Sequence, residues 1–291
     1  MRDTRIQKVM SEAGLCSRRA AEQIIAEKRV TINGRIVVPG DKMDTKKDLL
    51  AVDGKNIYIP KKIEHLYVML NKPRGYVTTL SDERGRKAVT DLLTGIDTRL
   101  YPVGRLDKDS EGLLLFTNDG EFSNLLMHPS HGVAKTYRVT VTPHAMEEKI
   151  IALTDGVVLD DGTKTKPAVI RVITDEPERT VLELTIKEGK NRQIRRMCEA
   201  VGLQVARLKR TQVGPVKLGM LKPGAYRMLA QQEVNALVAS ATKTTAKMES
   251  LAKAEAVKGE AVKRNFGKGK KPSEFPSRNT FKKPTKRNEK K

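Results

Sequence analysis

The densest concentration of side chains able to do chemistry is Gly104-Arg105-Leu106-Asp107-Lys108-Asp109-Ser110-Glu111, which runs straight into Gly112-Leu113-Leu114-Leu115-Phe116-Thr117. The apolar run reads as a buried strand. A carboxylate at the edge of a core, with an arginine beside it, can be kept ionised and aimed at a substrate. Asp107 and Asp109 both stand in that position, and a charged surface turn would use the same residue types. Asp119 reads otherwise, because Asn118-Asp119-Gly120 is first of all a turn signal. A carboxylate in a dry pocket takes up a proton unless a cation holds it charged. Cations cluster in Asn191-Arg192-Gln193-Ile194-Arg195-Arg196-Met197, where Asn191 can cap a helix running to Val201 with Ile194, Met197 and Val201 on its apolar stripe. Arginines near the start of a helix oppose its dipole, so Arg192, Arg195 and Arg196 there point to an anionic partner.

The elements that must position these groups divide into two units and a tail. In residues 1–62, Ile6, Val9, Met10 and Ala13 recur at helical spacing and Gly14 stops the helix. Ser17 caps a second helix through Arg18, Arg19, Ala20, Ala21, Ile24 and Ile25. Residues 29–38 read as a hairpin about Asn33-Gly34, and residues 48–54 add a strand. Arg18 and Arg19 fall in the first turn of their helix, near its phosphate-attracting end, with Lys28, Arg29 and Arg35 extending the positive face. The second unit, residues 63–240, opens with the strand Leu66–Leu70, the turn Asn71-Lys72-Pro73-Arg74-Gly75 and a strand Tyr76–Thr79. Strands follow over Thr136–Val141, Ala168–Thr174 and Thr180–Ile186, with Pro143 opening a helix to Leu153. This irregular alternation predicts an α+β fold with a mixed, largely antiparallel sheet. Residues 241–291 are poor in apolar side chains and rich in lysine, and are expected to be a disordered basic tail.

The net charge of +21 is unevenly spread: +6 in residues 1–63, +11 in residues 241–291, and only +4 between them. Basic ends attract polyanions. No apolar run approaches the length of a membrane span, and the N-terminus lacks the apolar segment of a secretory signal. Cys16 and Cys198 are the only cysteines, without metal-ligand spacing. Nor do His65, His128, His131 and His144 show ligand spacing, so no metal site is expected. A reducing, cytoplasmic setting with nucleic acid as partner, and no membrane, fits these features.

Four blocks resemble one family. Gly104-Arg105-Leu106-Asp107 with Gly112-Leu113-Leu114, Asn71-Lys72-Pro73-Arg74-Gly75, Lys135-Thr136-Tyr137, and Glu188-Gly189-Lys190-Asn191-Arg192-Gln193-Ile194-Arg195-Arg196-Met197 are similar to ribosomal RNA pseudouridine synthases of the RsuA/RluB/RluF kind. Residues 14–21 and 30–34 resemble an S4 RNA-binding domain. The resemblance spans about residues 4–230. It implies isomerisation of uridine to pseudouridine without metal or organic cofactor. It selects Asp107 as the catalytic aspartate, as nucleophile or as base at the ribose. Arg195 is implied as its counter-ion, Tyr137 as the tyrosine stacked on the uracil, and Arg105 as the arginine that helps flip the nucleotide. Lys72 and Lys135 are implied as contacts to the RNA backbone, beside Arg192 and Arg196. The late helix block and the basic tail look closest to the large-subunit group, which favours 23S over 16S ribosomal RNA, free or in an assembly intermediate, and a monomeric enzyme. The rival readings are a non-catalytic S4-type RNA-binding or ribosome-assembly protein, which gives the Asp107, Tyr137 and Arg195 blocks no purpose, and a glycoside hydrolase, which would use a second carboxylate at defined separation.

Overall fold

The computed structural model describes residues 3–60, 64–80, 82 and 85–242. The first helix, α1 (Ile6–Glu12), is followed by α2 (Arg18–Ala26), which begins where the sequence predicts. The Ser17 Oγ accepts a hydrogen bond from the Ala20 amide at 3.0 Å, satisfying one of the open donors of the first turn. The hairpin joins β1 (Val30–Ile32) to β2 (Arg35–Ile36) through Asn33 and Gly34, both at positive φ (50° and 80°), as a tight primed turn demands. Strands β3 (Leu50–Val52) and β4 (Lys55–Asn56) complete a four-stranded antiparallel sheet in the order β2-β1-β3-β4. Ile6, Met10, Ile25, Val30, Ile32 and Leu50 form its core, each no more than 2% exposed.

The larger unit is built on a mixed sheet. Its described strands are β5 (Tyr67–Lys72), β6 (Tyr101–Val103), β7 (Glu111–Thr117), β8 (Lys135–Thr142), β9 (Val169–Glu176), β10 (Arg179–Ile186), β11 (Gln204–Val213), β12 (Val216–Lys217) and β13 (Tyr226–Met228). The main order is β9-β10-β8-β11-β7-β5-β13, with β12 on β11 and β6 on β7. Every pairing between these strands is antiparallel except the short junction of β11 with β7, Lys209 to Glu111 and Arg210 to Gly112. The apolar run in β7 is explained by burial on both faces. Leu114 and Phe116 join Val68, Leu70, Val139 and Leu184 on one side, while Leu113 and Leu115 join Met69, Phe122 and Leu126 on the other. These four β7 side chains are at most 2% exposed, worth roughly 1.5–3 kcal/mol each.

Helices α3 (Gly120–Met127), α4 (Glu147–Asp155) and α5 (Gln193–Ala200) pack on this sheet. Asp119 caps α3, its Oδ1 accepting from the Glu121 and Phe122 amides at 2.9 and 3.0 Å.

Four expectations are corrected. Tyr76–Thr79 forms no strand beyond a single bridge from Val77 to Ala88, because the Gly75 amide and the Thr78 hydroxyl are spent on the loop that carries Asp107. Helix α4 starts at Glu147 rather than at Pro143; the intervening Ala145 amide donates to Thr180 Oγ1 instead. Helix α5 is capped by Arg192 in a left-handed conformation (φ 45°, ψ 32°), not by Asn191. Finally, residues 231–242 are helical and Ala241 is fully buried beside Leu237, so the folded unit runs past residue 240. The remainder of the basic tail, residues 243–291, lies outside the described residues. No described helix is long and apolar enough to cross a membrane.

Candidate active site

The segment between β6 and β7 has almost no secondary structure, yet its backbone is held at every carbonyl from residue 106 to residue 110. Thr78 Oγ1 donates to Leu106 O at 2.7 Å and accepts from the Leu106 amide at 3.2 Å. Lys72 Nζ donates to Asp107 O at 2.9 Å, Ser110 O at 2.7 Å and Pro73 O at 3.2 Å. The Gly75 amide donates to Lys108 O at 2.8 Å, and Arg195 Nη2 donates to Asp109 O at 3.3 Å. The Ser110 amide closes the turn on Asp107 O at 3.0 Å. With the main chain fixed this way, Asp107 is aimed by its backbone while its side chain stays one-third exposed.

That carboxylate opens on a cleft of about 860 Å³ whose lining includes Arg105, Asp107, Lys135, Tyr137, Arg192 and Arg210. Tyr137 is 8% exposed, on the buried face of β8. Arg105 is exposed at the rim.

The arginines of α5 have three different fates. Arg192, not Arg195, is the counter-ion of Asp107: its Nη1 stands 3.6 Å from Asp107 Oδ2. Its positive φ, uncommon outside glycine, turns the residue away from the helix and is the kind of backbone strain found where a side chain must be aimed. Arg195 is 8% exposed and donates to the carbonyls of Val205 (3.1 Å) and Asp109. It therefore supports the loop from beneath rather than neutralising its carboxylate. Arg196 is clamped by Asp160 and by Asp161, the latter at 2.8 Å, so its charge is already engaged in the free protein. The pair holds Asp161 well below the usual carboxylate range, chiefly through the Arg196 hydrogen bond.

Lys72 is the clearest departure from the sequence reading. It is fully buried, so it makes no contact with an RNA backbone. Burial pushes its ammonium down to about 8, opposed by the nearby Asp107, Asp109 and Glu111. Its three donors meet three carbonyls, which is full satisfaction for a lysine.

Gly112 has a steric reason as well. It has φ 104°, and a Cβ there would fall 2.2 Å from Arg210 O on the parallel neighbour β11. In the smaller unit, Arg18 and Arg19 are exposed, whereas Arg29 is bound to Asp53 at 2.7 Å and Glu27 at 2.9 Å, and Arg35 to Asp41 at 3.1 Å. Lys28 is exposed at positive φ just past α2. No group of acidic, histidine or cysteine side chains that could hold a metal occurs among the described residues.

Known proteins share this arrangement across both units. Residues 66–200 match the RNA pseudouridylate synthase family and residues 4–48 match the S4 domain. A ribosomal large subunit pseudouridine synthase B from Bacillus subtilis (strain 168) is 43% identical over 239 residues, covering 81% of this chain and 96% of its own length. The chain belongs to the RNA pseudouridylate synthase family. An uncharacterized RNA pseudouridine synthase from Aquifex aeolicus (strain VF5) is 42% identical, covering 80% of this synthase and 93% of its own length. A solved pseudouridylate synthase aligns over 81% of the chain and all of its own, at 33% identity and a TM-score of 0.60.

Two residues of the synthase cleft escape a reading of the sequence. Thr78 carries no local signal. Arg210 does carry one, as a charged residue in the alternating stretch Gln204–Val213, but that stretch is not recognisable as a central strand without its partners.

Proposed function

We propose that this synthase isomerises uridine to pseudouridine in 23S ribosomal RNA, with Asp107 as its catalytic residue. The carrying observation is a carboxylate on a loop tied at five consecutive carbonyls, opening on a cleft beside Tyr137 and Arg192. The reaction breaks the bond from ribose C1′ to uracil N1, turns the base, and forms a bond from C1′ to C5. The C5 proton is lost and N1 gains one, so the product is an isomer and no redox partner is consumed. Asp107 serves either as nucleophile at the ribose or as base. Arg192 places a positive charge 3.6 Å from the Asp107 carboxylate, and Tyr137 offers a flat face against which an extruded base can stack. Arg105 at the rim stacks or binds phosphate where the nucleotide leaves its helix.

The large-subunit substrate is supported by the likeness to the Bacillus subtilis ribosomal large subunit pseudouridine synthase B, and 16S ribosomal RNA is the alternative. We further propose that it works in the cytoplasm, on free RNA or an assembly particle, as a monomer. The test incubates purified protein with unmodified 23S and 16S transcripts, without added cofactor, and maps pseudouridine chemically against Asp107→Ala. Product on 23S RNA that vanishes in the variant is the expected result. Product on 16S RNA alone moves the substrate, and product that survives Asp107→Ala removes the catalytic assignment.

A further inference from the structure

Several cations in and beside the cleft are well partnered: Arg192 has Asp107, Arg196 has two aspartates, and Lys72 and Arg195 have main-chain carbonyls. Arg210 and Lys135, neither of them exposed, each make one side-chain hydrogen bond among the described residues, to a main-chain carbonyl, and keep donors to spare. Arg210 is 3% exposed and stands across the β8–β11 ladder from Tyr137. The register slips beside it, Thr136 pairing with Gln212 but Tyr137 with Arg210, and such a bulge re-aims neighbouring side chains. Its Nε donates to Leu113 O at 2.7 Å, just beyond the two-residue parallel junction where β7 and β11 part. Neither Nη donates to a described residue, and neither is sealed off. The buried side-chain polar atoms without a partner, among the described residues, are Ser110 Oγ and Arg195 Nε. The Nη groups therefore open on the cleft that Arg210 lines.

Lys135 lies two residues from Tyr137 on the same face of β8. Its one side-chain hydrogen bond among the described residues is a long one to Val133 O, 3.4 Å. Burial, and after it the Arg210 charge, push its ammonium down to about 8. No carboxylate among the described residues reaches ion-pair distance of either cation.

Two half-sealed like charges without a counter-ion repel one another more strongly than they would in water. Such a pair is favourable only when an anion arrives. Uracil and ribose are neutral, and the anion that RNA carries is the phosphodiester. We propose that Lys135 and Arg210 form a phosphate subsite, which takes one backbone phosphodiester of the strand next to the nucleotide held at Asp107. The free Nη fork suits two phosphate oxygens and the lysine adds a point charge. Held there, the strand is anchored beside Tyr137, which pairs with Arg210 and lies two residues from Lys135. The inference rests on the cleft being the RNA site, and it deepens that reading by naming what fixes the backbone.

The test measures binding of the full-length protein to a 23S transcript across a salt series, with Lys135→Met, Lys135→Arg and a melting curve of each free protein. Lys135→Met should weaken binding about tenfold or more and reduce the salt slope by about one unit. It should also raise the melting temperature, because the repulsion with Arg210 is gone. Lys135→Arg should restore affinity and slope. Opposite signs for stability and binding are a signature that a merely structural lysine would not give. An unchanged slope and affinity in Lys135→Met overturns the subsite, as does weaker binding accompanied by a lower melting temperature. Binding requires no turnover, so a wild type that binds with this signature but makes no pseudouridine would refute the proposed reaction and leave the subsite standing. A wild type that makes pseudouridine while Lys135→Met binds unaltered would do the reverse.

Discussion

The basic residues of the smaller unit and those of the cleft look alike in sequence and differ in what they are bonded to. Arg29 is held by Asp53 through two hydrogen bonds (2.8 and 2.7 Å) and by Glu27, and these bonds raise its guanidinium further above its already high value. Arg35 is held by Asp41. In the cleft, Lys135 and Arg210 have no carboxylate partner among the described residues, although burial makes an uncompensated charge there far more costly. The contrast teaches that net charge and available charge are separate quantities. A paired surface arginine gains only the difference between two partners when RNA approaches, while an unpaired buried one gains the whole interaction.

If the cleft is the chemical half of this comparison, removing its carboxylate should produce the largest effect in the molecule. Asp107→Asn should lower the rate of pseudouridine formation by on the order of 10⁴, with RNA affinity kept within a few-fold. Single-turnover assays at saturating RNA separate the two. A variant that retains its rate but loses its RNA would turn the cleft into a binding surface and dissolve the distinction.

Lys72 sharpens the comparison from below, because it is a cation that is buried and fully satisfied. Lys72→Met strips partners from Pro73 O, Asp107 O and Ser110 O, so the loop should loosen and the rate should fall by about 10²-fold, in line with a misplacement on the order of 1 Å. Its stability carries a definite pH sign. The folded-state value of about 8 is depressed from 10.5. Between those values the unfolded chain binds more protons, so the lysine's burial cost is present in full below pH 8 and fades as pH rises. The wild type should therefore gain on Lys72→Met by up to about 3 kcal/mol between pH 8 and 10.5. Denaturant melts of both proteins at pH 7.5 and 10 would show it, and a gap that widens the other way would mean that the ammonium is stabilised, not strained, by its site.

The order in which these residues become visible has physical causes. The Gly104–Thr117 block, the Ser17 cap and the Asn33-Gly34 turn are legible in the sequence because each depends on a few neighbouring residues. The role of Lys72 depends on Asp107 and Ser110, more than thirty residues away. Arg210 depends on the point where two strands separate. The exchange of Arg195 for Arg192 beside Asp107 follows from a single left-handed residue, and nothing in the residue types announces it. Ala241 escapes for another reason: a small residue at the start of a polar stretch becomes core only through its packing beside Leu237.

Within the smaller unit, the comparison predicts a graded response. Arg18 and Arg19 are exposed in the first turn of α2 and show no ion pair among the described residues. Arg18→Glu with Arg19→Glu should lower affinity for ribosomal RNA about tenfold at moderate salt and flatten the salt dependence. The rate at saturating RNA should stay near that of the wild type, since neither residue lines the Asp107 cleft. Unaltered RNA capture by this variant would take the smaller unit out of RNA binding altogether.

The smallest effect belongs to the paired arginine. Changing Arg29→Gln alone would leave the carboxylates of Asp53 and Glu27 without their cation, and any loss of binding would then report repulsion of RNA by bare acids. Combining Arg29→Gln with Asp53→Asn removes one charge of each sign and leaves the net charge of the chain at +21. Because the guanidinium is already occupied on both edges, this double variant should bind 23S RNA within about twofold of the wild type at every salt concentration. Filter binding across the same series used for Arg18 and Arg19 gives a direct contrast. A tenfold loss in the charge-neutral pair would mean that RNA draws Arg29 away from its carboxylates, and that ion pairing in the free protein does not decide which cations the RNA uses.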